Sequence, residues 1–168
     1  SEQRLADGSQ IGVGDVVRAR GNGGAIALLA DGSHIEMRSN TELSVDRADD
    51  GIRIALENGG LIVHAAKQRG GHFYVQTKDV TVSVVGTVFL VRAEEEGSRV
   101  AVMEGEVRVQ QGNSSKKLLS GEQLSTNPLM ERIPVNEEIS WSESAPVHVA
   151  RLQQTTAPAT PRPSSPRR

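Results

Sequence analysis

The sequence has no cysteine among its 168 residues, which excludes disulfide scaffolds, cysteine-ligated zinc sites and cysteine nucleophiles. Aromatic residues are nearly as scarce, and all four are Phe73, Tyr74, Phe89 and Trp141. So few rings argue against a stacking platform for single-stranded nucleic acid, and we expect no nucleic-acid partner. No apolar run approaches the roughly 20 residues that cross a bilayer, and no signal-peptide pattern is present. Any membrane association would therefore come through a segment absent from this chain.

Residue patterns that carry catalysis or metal binding are also lacking. The four histidines form no HxH, HxxxH or HExxH spacing, so we expect no metal site; they are His34, His64, His72 and His148. The acidic run before Gly97 lacks alternating oxygen ligands and indicates a solvated hairpin tip rather than a calcium loop. The serine of Asp31-Gly32-Ser33 has no strained elbow around it and is interpreted as a turn residue. The sequence predicts a non-enzymatic protein without a cofactor.

Apolar and polar residues alternate with a period of two through most of the chain. Val82 and Val84, for example, alternate with Thr81 and Ser83. The same alternation recurs at 16–20, 34–38, 43–45, 52–56, 100–102 and 107–109. Such β-branched alternation is typical of strands with one face on a core, and Asp-Gly and Gly-Gly pairs supply the turns between them. The pattern predicts an all-β fold, either a two-sheet β-sandwich or a flattened, jelly-roll-like β-roll. We expect the core to contain Phe73, Val75, Val82, Val84, Phe89, Val102 and Val107.

Helical periodicity is nearly absent from the sequence, and the composition changes in the C-terminal segment. One helical turn is expected around 136–141, with Asn136 as its cap. The last 18 residues hold four arginines and no acid, whereas the whole chain has a net charge of −2. Four prolines follow Thr155, and such a segment has little to bury against its ordering entropy. We expect a β domain over residues 1–143 and a disordered Pro/Arg-rich tail over 144–168, either a linker or tether or a frayed end.

A short unit recurs in which a glycine precedes an acidic residue and an apolar strand. It occurs at Gly14-Asp15, Gly105-Glu106 and Gly121-Glu122, with irregular spacing. A glycine can turn the chain there, and the acid would occupy the exposed first position of the next strand. The repetition predicts strands that meet at similar corners, as in a rolled sheet.

Four short motifs follow one another between residues 73 and 122. The first is a Phe-x-Val-x-Thr strand at 73–77 and the second is Gly-Thr-x-Phe-x-Val at 86–91. The third is a Glu-Gly-x-Val-x-Val hairpin at 104–109, and the fourth is a leucine followed by Gly-Glu at 119–122. In this order, the four motifs resemble the FecR domain. Asp31-Gly32-Ser33 and the Leu-x-x-Gly segment at 56–59 match upstream elements, although Gly60 replaces the usual acid. The resemblance covers roughly residues 14–125, and its motif residues include Gly86, Thr87, Phe89, Glu104, Gly105, Gly121 and Glu122.

This resemblance implies a periplasmic or cell-envelope β domain that senses or relays a signal by protein–protein contact. In regulatory FecR proteins the partner is the signalling domain of a TonB-dependent transporter, and the signal reaches an extracytoplasmic-function sigma factor. Those proteins carry a cytoplasmic segment and a membrane helix that this chain does not include, so a relay would need parts absent here. The alternative is an envelope assembly or scaffolding module tethered by its Pro-rich tail. An enzyme or small-ligand binder on a jelly-roll scaffold is a third class, for which the sequence offers no set of converging polar residues.

Two local features carry the remaining expectations. The run from Val82 to Val91 is interpreted as one central strand covered on both faces, in which Gly86 marks a bulge or a close backbone approach. The hydroxyl of Thr87 could then satisfy a backbone group that the irregularity frees. The segment 116–129 is expected to be an exposed sheet edge that binds a partner by strand addition. Its candidate contact residues are Leu118, Leu119, Leu124 and Leu129, and the alternative is that these leucines close the core.

Overall fold

The computed structural model describes residues 8–20 and 24–156, with side chains up to residue 153. It has thirteen strands and two helices in these ranges. The strands are β1 (Ser9–Gln10), β2 (Val16–Ala19), β3 (Ala25–Leu28), β4 (His34–Met37), β5 (Thr41–Ala48), β6 (Gly51–His64), β7 (His72–Gln76), β8 (Thr81–Val84), β9 (Val88–Ala93), β10 (Ser98–Glu104), β11 (Glu106–Gln111), β12 (Ser114–Leu119) and β13 (Gln123–Ser125). The helices are α1 (Val135–Glu138) and α2 (Ala145–Thr156). The predicted all-β fold is confirmed.

The long strand β6 belongs to both layers of the fold. Its first half pairs with β5 and β7, and its second half pairs with β4 and β9. The front layer has the strand order β1-β3-β4-β6-β9-β10-β13. The back layer has the order β2-β5-β6-β7-β8-β11-β12. A single hydrogen-bonded sheet thus folds over at β6 into a two-layer β-roll.

The bend in β6 lies at Gly59 and Gly60. Gly59 has φ +98°, and a Cβ there would collide with Thr41 Oγ1. The buried Thr41 hydroxyl accepts a hydrogen bond from Gly60 N and donates one to Gly60 O, each at 3.0 Å. Glycine is required at 59 because only a residue without Cβ combines that φ with this close approach.

The main core lies between the two layers. Alternate residues from both layers meet there, so the period-two pattern seen in the sequence corresponds to inward-facing side chains. All seven residues expected in the core are at most 2% exposed and belong to this cluster, so the expectation is confirmed: Phe73, Val75, Val82, Val84, Phe89, Val102 and Val107.

A second apolar cluster covers the outer face of the front layer. Ile62, Leu90 and Met103 project from the sheet and pack against Ile139 and Leu152 of the helical segment. The front layer is therefore buried on both faces, which explains the apolar residues on both faces of β9. The expectation that Val82–Val91 forms one strand is wrong, because β8 ends at Val84 in the back layer and β9 begins at Val88 in the front layer.

The helices change two expectations for the C-terminal part. A helical turn does form at 135–138, but Pro134 holds the N-cap position without a side-chain hydrogen bond, so the expected cap by Asn136 is wrong. A tail beginning at residue 144 is also wrong, since α2 continues to Thr156 and buries Leu152 to 7% exposure. Tertiary packing of that residue stabilises the helix. The Pro/Arg-rich residues 157–168 lie outside the described residues. Neither described helix is both long and apolar enough to cross a bilayer.

Candidate protein-interaction edge

The glycine motifs of the sequence mark corners where the chain passes between the two layers. The segment 85–87 joins β8 of the back layer to β9 of the front layer. Gly105 joins β10 of the front layer to β11 of the back layer, so the expected Glu-Gly-x-Val-x-Val hairpin is instead a corner. The segment 120–122 joins β12 of the back layer to β13 of the front layer. Three of the motifs therefore have the same structural role.

These corners are joined to one another by hydrogen bonds. Thr87 O accepts from Ala65 N at 2.9 Å, and Thr87 Oγ1 donates to Glu106 O at 3.0 Å. Gly105 N then donates to Ser120 Oγ at 3.0 Å. The Thr87 hydroxyl thus satisfies a backbone carbonyl at the next corner, as its sequence context suggested. We call the stack of segments 31–33, 65–68, 85–87, 104–106 and 119–122 the turn ladder, and each segment a rung.

The first rung is the Asp31-Gly32-Ser33 turn. Ser33 is fully buried, its N–H donates to Asp31 Oδ1, and its Oγ accepts from Ala66 N, both at 2.8 Å. Gln68 Nε2 donates to the second Asp31 oxygen at 2.9 Å. The serine is therefore a structural turn residue whose hydroxyl holds the neighbouring rung.

Close contact between rungs explains two glycines. Gly105 has φ +96°, and a Cβ there would lie 3.2 Å from Gly86 O and 3.2 Å from Thr87 Oγ1. Gly86 lacks a positive φ, but its Cβ would lie 3.3 Å from Lys67 Cα. The two interpretations of Gly86 were a bulge and a close backbone approach, and the structure has the close approach, because Gly86 lies between β8 and β9 rather than inside a strand.

The last rung repeats a turn found near the start of the described chain. Gly121 N donates to Val102 O at 2.8 Å, Val102 N donates to Glu122 O at 3.0 Å, and Leu119 N donates to Glu122 Oε1 at 2.7 Å. The glycine–acid pattern predicts the acid at the start of a strand, and the structure shows in addition that its carboxylate holds the preceding turn closed.

The turn before β2 has the same bonds. Gly14 N donates to Val45 O and Val45 N donates to Asp15 O, each at 2.9 Å, while Gly12 N donates to Asp15 Oδ2 at 2.8 Å. Two of the three Gly-acid units are thus equivalent corners. In the third, Glu106 offers its carbonyl to Thr87 instead.

The turn ladder ends at a place where both layers have a free edge. Among the described strands, β12 pairs only with β11 and β13 pairs only with β10. The rung at 119–122 lies between these two edge strands. Backbone N–H and C=O groups on the outer side of an edge strand can accept a further strand.

The four candidate leucines are divided between the core and the surface. Leu118 is 1% exposed and Leu124 is partly buried against the core, so the core-closing alternative holds for these two. Leu119 is 49% exposed and Leu129 is 90% exposed. We define the open edge as strands β12 and β13 with the rung at 119–122. Its exposed apolar side chain is Leu119, and Lys116 and Lys117 are its exposed cations.

The family-motif residues lie in or beside the turn ladder. Thr87 and Phe89 are buried at the start of β9, while Glu104 and Glu122 are exposed. Thr77, from the first motif, accepts hydrogen bonds from Asp79 N and Val80 N and bonds to Ser98 Oγ at 2.8 Å. The contacts of Thr77 hold the turn before β8 and join it to β10.

Polar side chains that no sequence motif links form two further clusters in the structure. On the back layer, Asp50 accepts from Tyr74 Oη and bonds to His72 Nδ1, each at 2.8 Å. The bond to His72 and then that to Tyr74 lower the pKa of Asp50, and the bond to Asp50 raises the pKa of Tyr74. This set joins the β5–β6 turn to β7. In the described ranges, no three acidic or histidine side chains are placed to hold a metal ion.

The second place is under α1, where a buried carboxylate meets two arginines. Glu138 is 4% exposed, and its oxygens lie 3.4 Å from an Arg92 Nη and 3.6 Å from Arg99 Nε. Arg92 and Arg99 are cross-strand partners in β9 and β10, and Glu94 lies 2.8 Å from Arg99 Nε. No local pattern signals this cluster, since its members come from three elements.

Comparisons with known proteins agree with this architecture. A family model described as FecR protein matches residues 15–108, which include every rung except that at 119–122. No curated protein matches the chain at a significant level. Two crystal structures, at 2.50 and 1.65 Å, of a "putative anti-sigma factor" from Parabacteroides distasonis ATCC 8503 are similar over 70% of this chain. Both have a TM-score of 0.61 and 25% sequence identity, and this chain spans 57% of that protein's length.

Proposed function

The chain belongs to the FecR family, and from this we propose that it is a non-enzymatic signalling domain of the periplasm or cell envelope that works by protein–protein contact at the open edge. The observation that carries the proposal is the end of the turn ladder. The rung at 119–122 is bonded to the rung at 104–106, and the two strands that it joins, β12 and β13, each pair with only one other strand among the described residues.

The family and the solved structures support a regulatory partner. FecR membership and the likeness to an anti-sigma factor favour a role in passing a signal towards a sigma factor. The partner class that fits is the signalling domain of a TonB-dependent transporter or another envelope protein. Relay to a sigma factor would run through a membrane segment outside this chain.

The chemistry of the open edge fits strand addition by an extended segment. β12 is six residues long and has unpaired backbone groups along its outer side. In strand addition, hydrogen bonds to such groups give affinity for the added segment, and side-chain pockets give specificity. Lys116 and Lys117 discourage indiscriminate pairing of two such edges, because like charges would then face each other. The segment that fits therefore carries acidic residues opposite the lysines and an apolar residue against Leu119.

Two charge substitutions at opposite edges of the back layer test this proposal. Leu119→Asp places a carboxylate at the open edge, on β12, and Val16→Asp places one on β2, where Val16 is 57% exposed. Because both side chains are about half exposed, both variants should fold. We expect L119D to weaken binding of a transporter signalling domain at least tenfold and V16D to leave it within twofold. Equal effects, or a loss confined to V16D, would contradict the proposal.

A further inference from the structure

The C-terminal residues 135–153 cross the outer face of the front layer, and we call them, with the rest of α2, the helical strap. Polar contacts hold the strap to the sheet at two points. Glu138 lies between Arg92 and Arg99 at one point. At the other, Glu36 of β4 accepts from Ser142 Oγ and, at 2.8 Å, from Glu143 N.

Three of the four histidines lie near one another, two on the sheet and one on α2. His34 and His64 are cross-strand partners in β4 and β6, and their ring centroids are 4.7 Å apart. His148 of α2 is only 6% exposed, and both imidazoles of the pair are near enough to lower its pKa. His72, the fourth, lies on the back layer beside Asp50. The pairing of β4 with β6 and the packing of α2, rather than any sequence spacing, bring the three together.

The charged groups that act on these histidines come from α2, β4, β6 and β10. His148 faces Arg151 on its own helix, Glu36 on β4, and the two histidines of the sheet. His64 faces His34, Arg151 and Glu104 of β10. Two carboxylates favour an added proton, while Arg151 and the neighbouring histidines oppose it.

Burial determines the direction in which the pKa of His148 and of His64 is shifted. Desolvation, with Arg151 and the neighbouring imidazoles, lowers the pKa of His148 and of His64 below the ordinary value, despite Glu36 and Glu104. His148 Nδ1 is buried without a hydrogen-bond partner. A proton placed on that imidazole would add a buried charge and leave a buried donor without an acceptor, both of which cost free energy.

We propose that the helical strap is an acid-released latch: with neutral histidines α2 covers the apolar outer face of the front layer, and protonation of His64 and His148 detaches it. Detachment returns both imidazoles to water and exposes the sheet side of the apolar cluster, which comprises Ile62, Val88, Leu90, Ala101 and Met103. The main core between the layers does not depend on the strap.

The sign of the pH dependence follows from proton linkage. In the attached state both pKa values lie below 6.5, whereas in the detached state they return to about 6.5. The detached state therefore binds more protons, and its population rises as pH falls through about 6.5. Each histidine can raise the detachment constant by up to about tenfold per pH unit in that window, so two give up to about a hundredfold.

Trp141, the sole tryptophan, provides the measurement. It lies between the helices and packs on the apolar cluster. Titration of the full 168-residue chain from pH 8 to pH 5 should shift Trp141 emission to longer wavelength. Amide protection in 145–152 should fall at least tenfold, while protection in β7 and β8 and the β-type circular dichroism persist. Constant emission and constant α2 protection over this range would overturn the proposal, as would simultaneous loss of protection throughout the domain.

Three variants assign the transition to the histidines. His148→Leu fills the buried site without a titrating group, so α2 should stay attached at pH 5. His64→Gln should lower the transition midpoint, and it serves as a milder change should H148L disturb packing. His72→Gln, on the opposite layer, should leave the midpoint unchanged. A transition that is unaltered in both H148L and H64Q, or that moves in H72Q, would overturn the proposal.

Discussion

The hydroxyl of Thr87 donates a 3.0 Å hydrogen bond to the backbone carbonyl of Glu106. This bond joins the corner from β8 to β9 with the corner from β10 to β11, and it is one of the bonds that align successive rungs. Because Thr87 is buried, water cannot replace the hydroxyl if it is removed. The position of the open edge therefore depends on bonds made in the interior of the turn ladder.

Replacing Thr87 with valine should lower the free energy of unfolding by about 1–3 kcal/mol, because the Glu106 carbonyl would lose its buried donor. Urea denaturation gives the value. Thr81→Val is the matched control, since Thr81 lies on a strand with its side chain half exposed, and it should cost less than about 0.5 kcal/mol. Equal losses of unfolding free energy in the two variants would show that the hydrogen bond from Thr87 to Glu106 contributes nothing to stability.

Gly105 and Gly112 separate the cost of close contact from the cost of backbone strain. Both have positive φ, but only at Gly105 would a Cβ meet the neighbouring rung, at 3.2 Å. Gly112→Ala should cost about 1 kcal/mol through strain alone, and Gly105→Ala should cost more, about 2–3 kcal/mol. Thermal or chemical unfolding of the two variants decides this, and a smaller loss at 105 than at 112 would rule out tight packing between rungs.

Truncation of Phe89 should be among the most damaging core changes. Its side chain is fully buried between the layers, so Phe89→Ala should cost about 3–5 kcal/mol. Leu129→Ala removes an apolar side chain that is 90% exposed and should stay within about 0.5 kcal/mol of the wild type. An unchanged melting temperature for F89A would be incompatible with the core described above.

Glu138 is expected to hold the strap through its two arginines. Glu138→Gln would remove the negative charge that compensates Arg92 and the largely buried Arg99. It should lower the free energy of unfolding by about 3 kcal/mol. The neighbouring Glu137 is exposed, and its side chain makes no hydrogen bond or ion pair within the described ranges, so Glu137→Gln is the control. Hydrogen exchange of α1 and α2 should increase in E138Q only. Equal exchange in the two variants would show that the carboxylate does not anchor the strap.

Period-two alternation predicts the strands and the main core, because alternate residues of a strand face the same side of the sheet. It also accounts for the leucines, since Leu118 and Leu119 are adjacent on β12 and must face opposite sides. The passage of the chain between layers at Gly86 could not be predicted, because local sequence does not state which strand is the hydrogen-bonding partner. The corner at Gly105, in contrast, is one of those that the glycine–acid pattern predicts.

Helix α2 and the histidine cluster were missed for different reasons. Ser144 followed by Pro146 is a helix-start pattern that was available in the sequence, and Ser144 O does accept from His148 N at 3.1 Å. The helix itself depends on burying Leu152, which is a tertiary contact. His34, His64 and His148 are far apart in the chain, and only the pairing of β4 with β6 and the packing of α2 bring them together.

Hydrogen exchange of the whole chain, with and without a transporter signalling domain, tests the central claim most directly. If a partner adds a strand at the open edge, amides between residues 114 and 129 gain protection on binding, while those of β2 at the opposite edge of the back layer do not. Protection gained only elsewhere, or none anywhere under conditions where the two proteins bind, would contradict recognition at the end of the turn ladder.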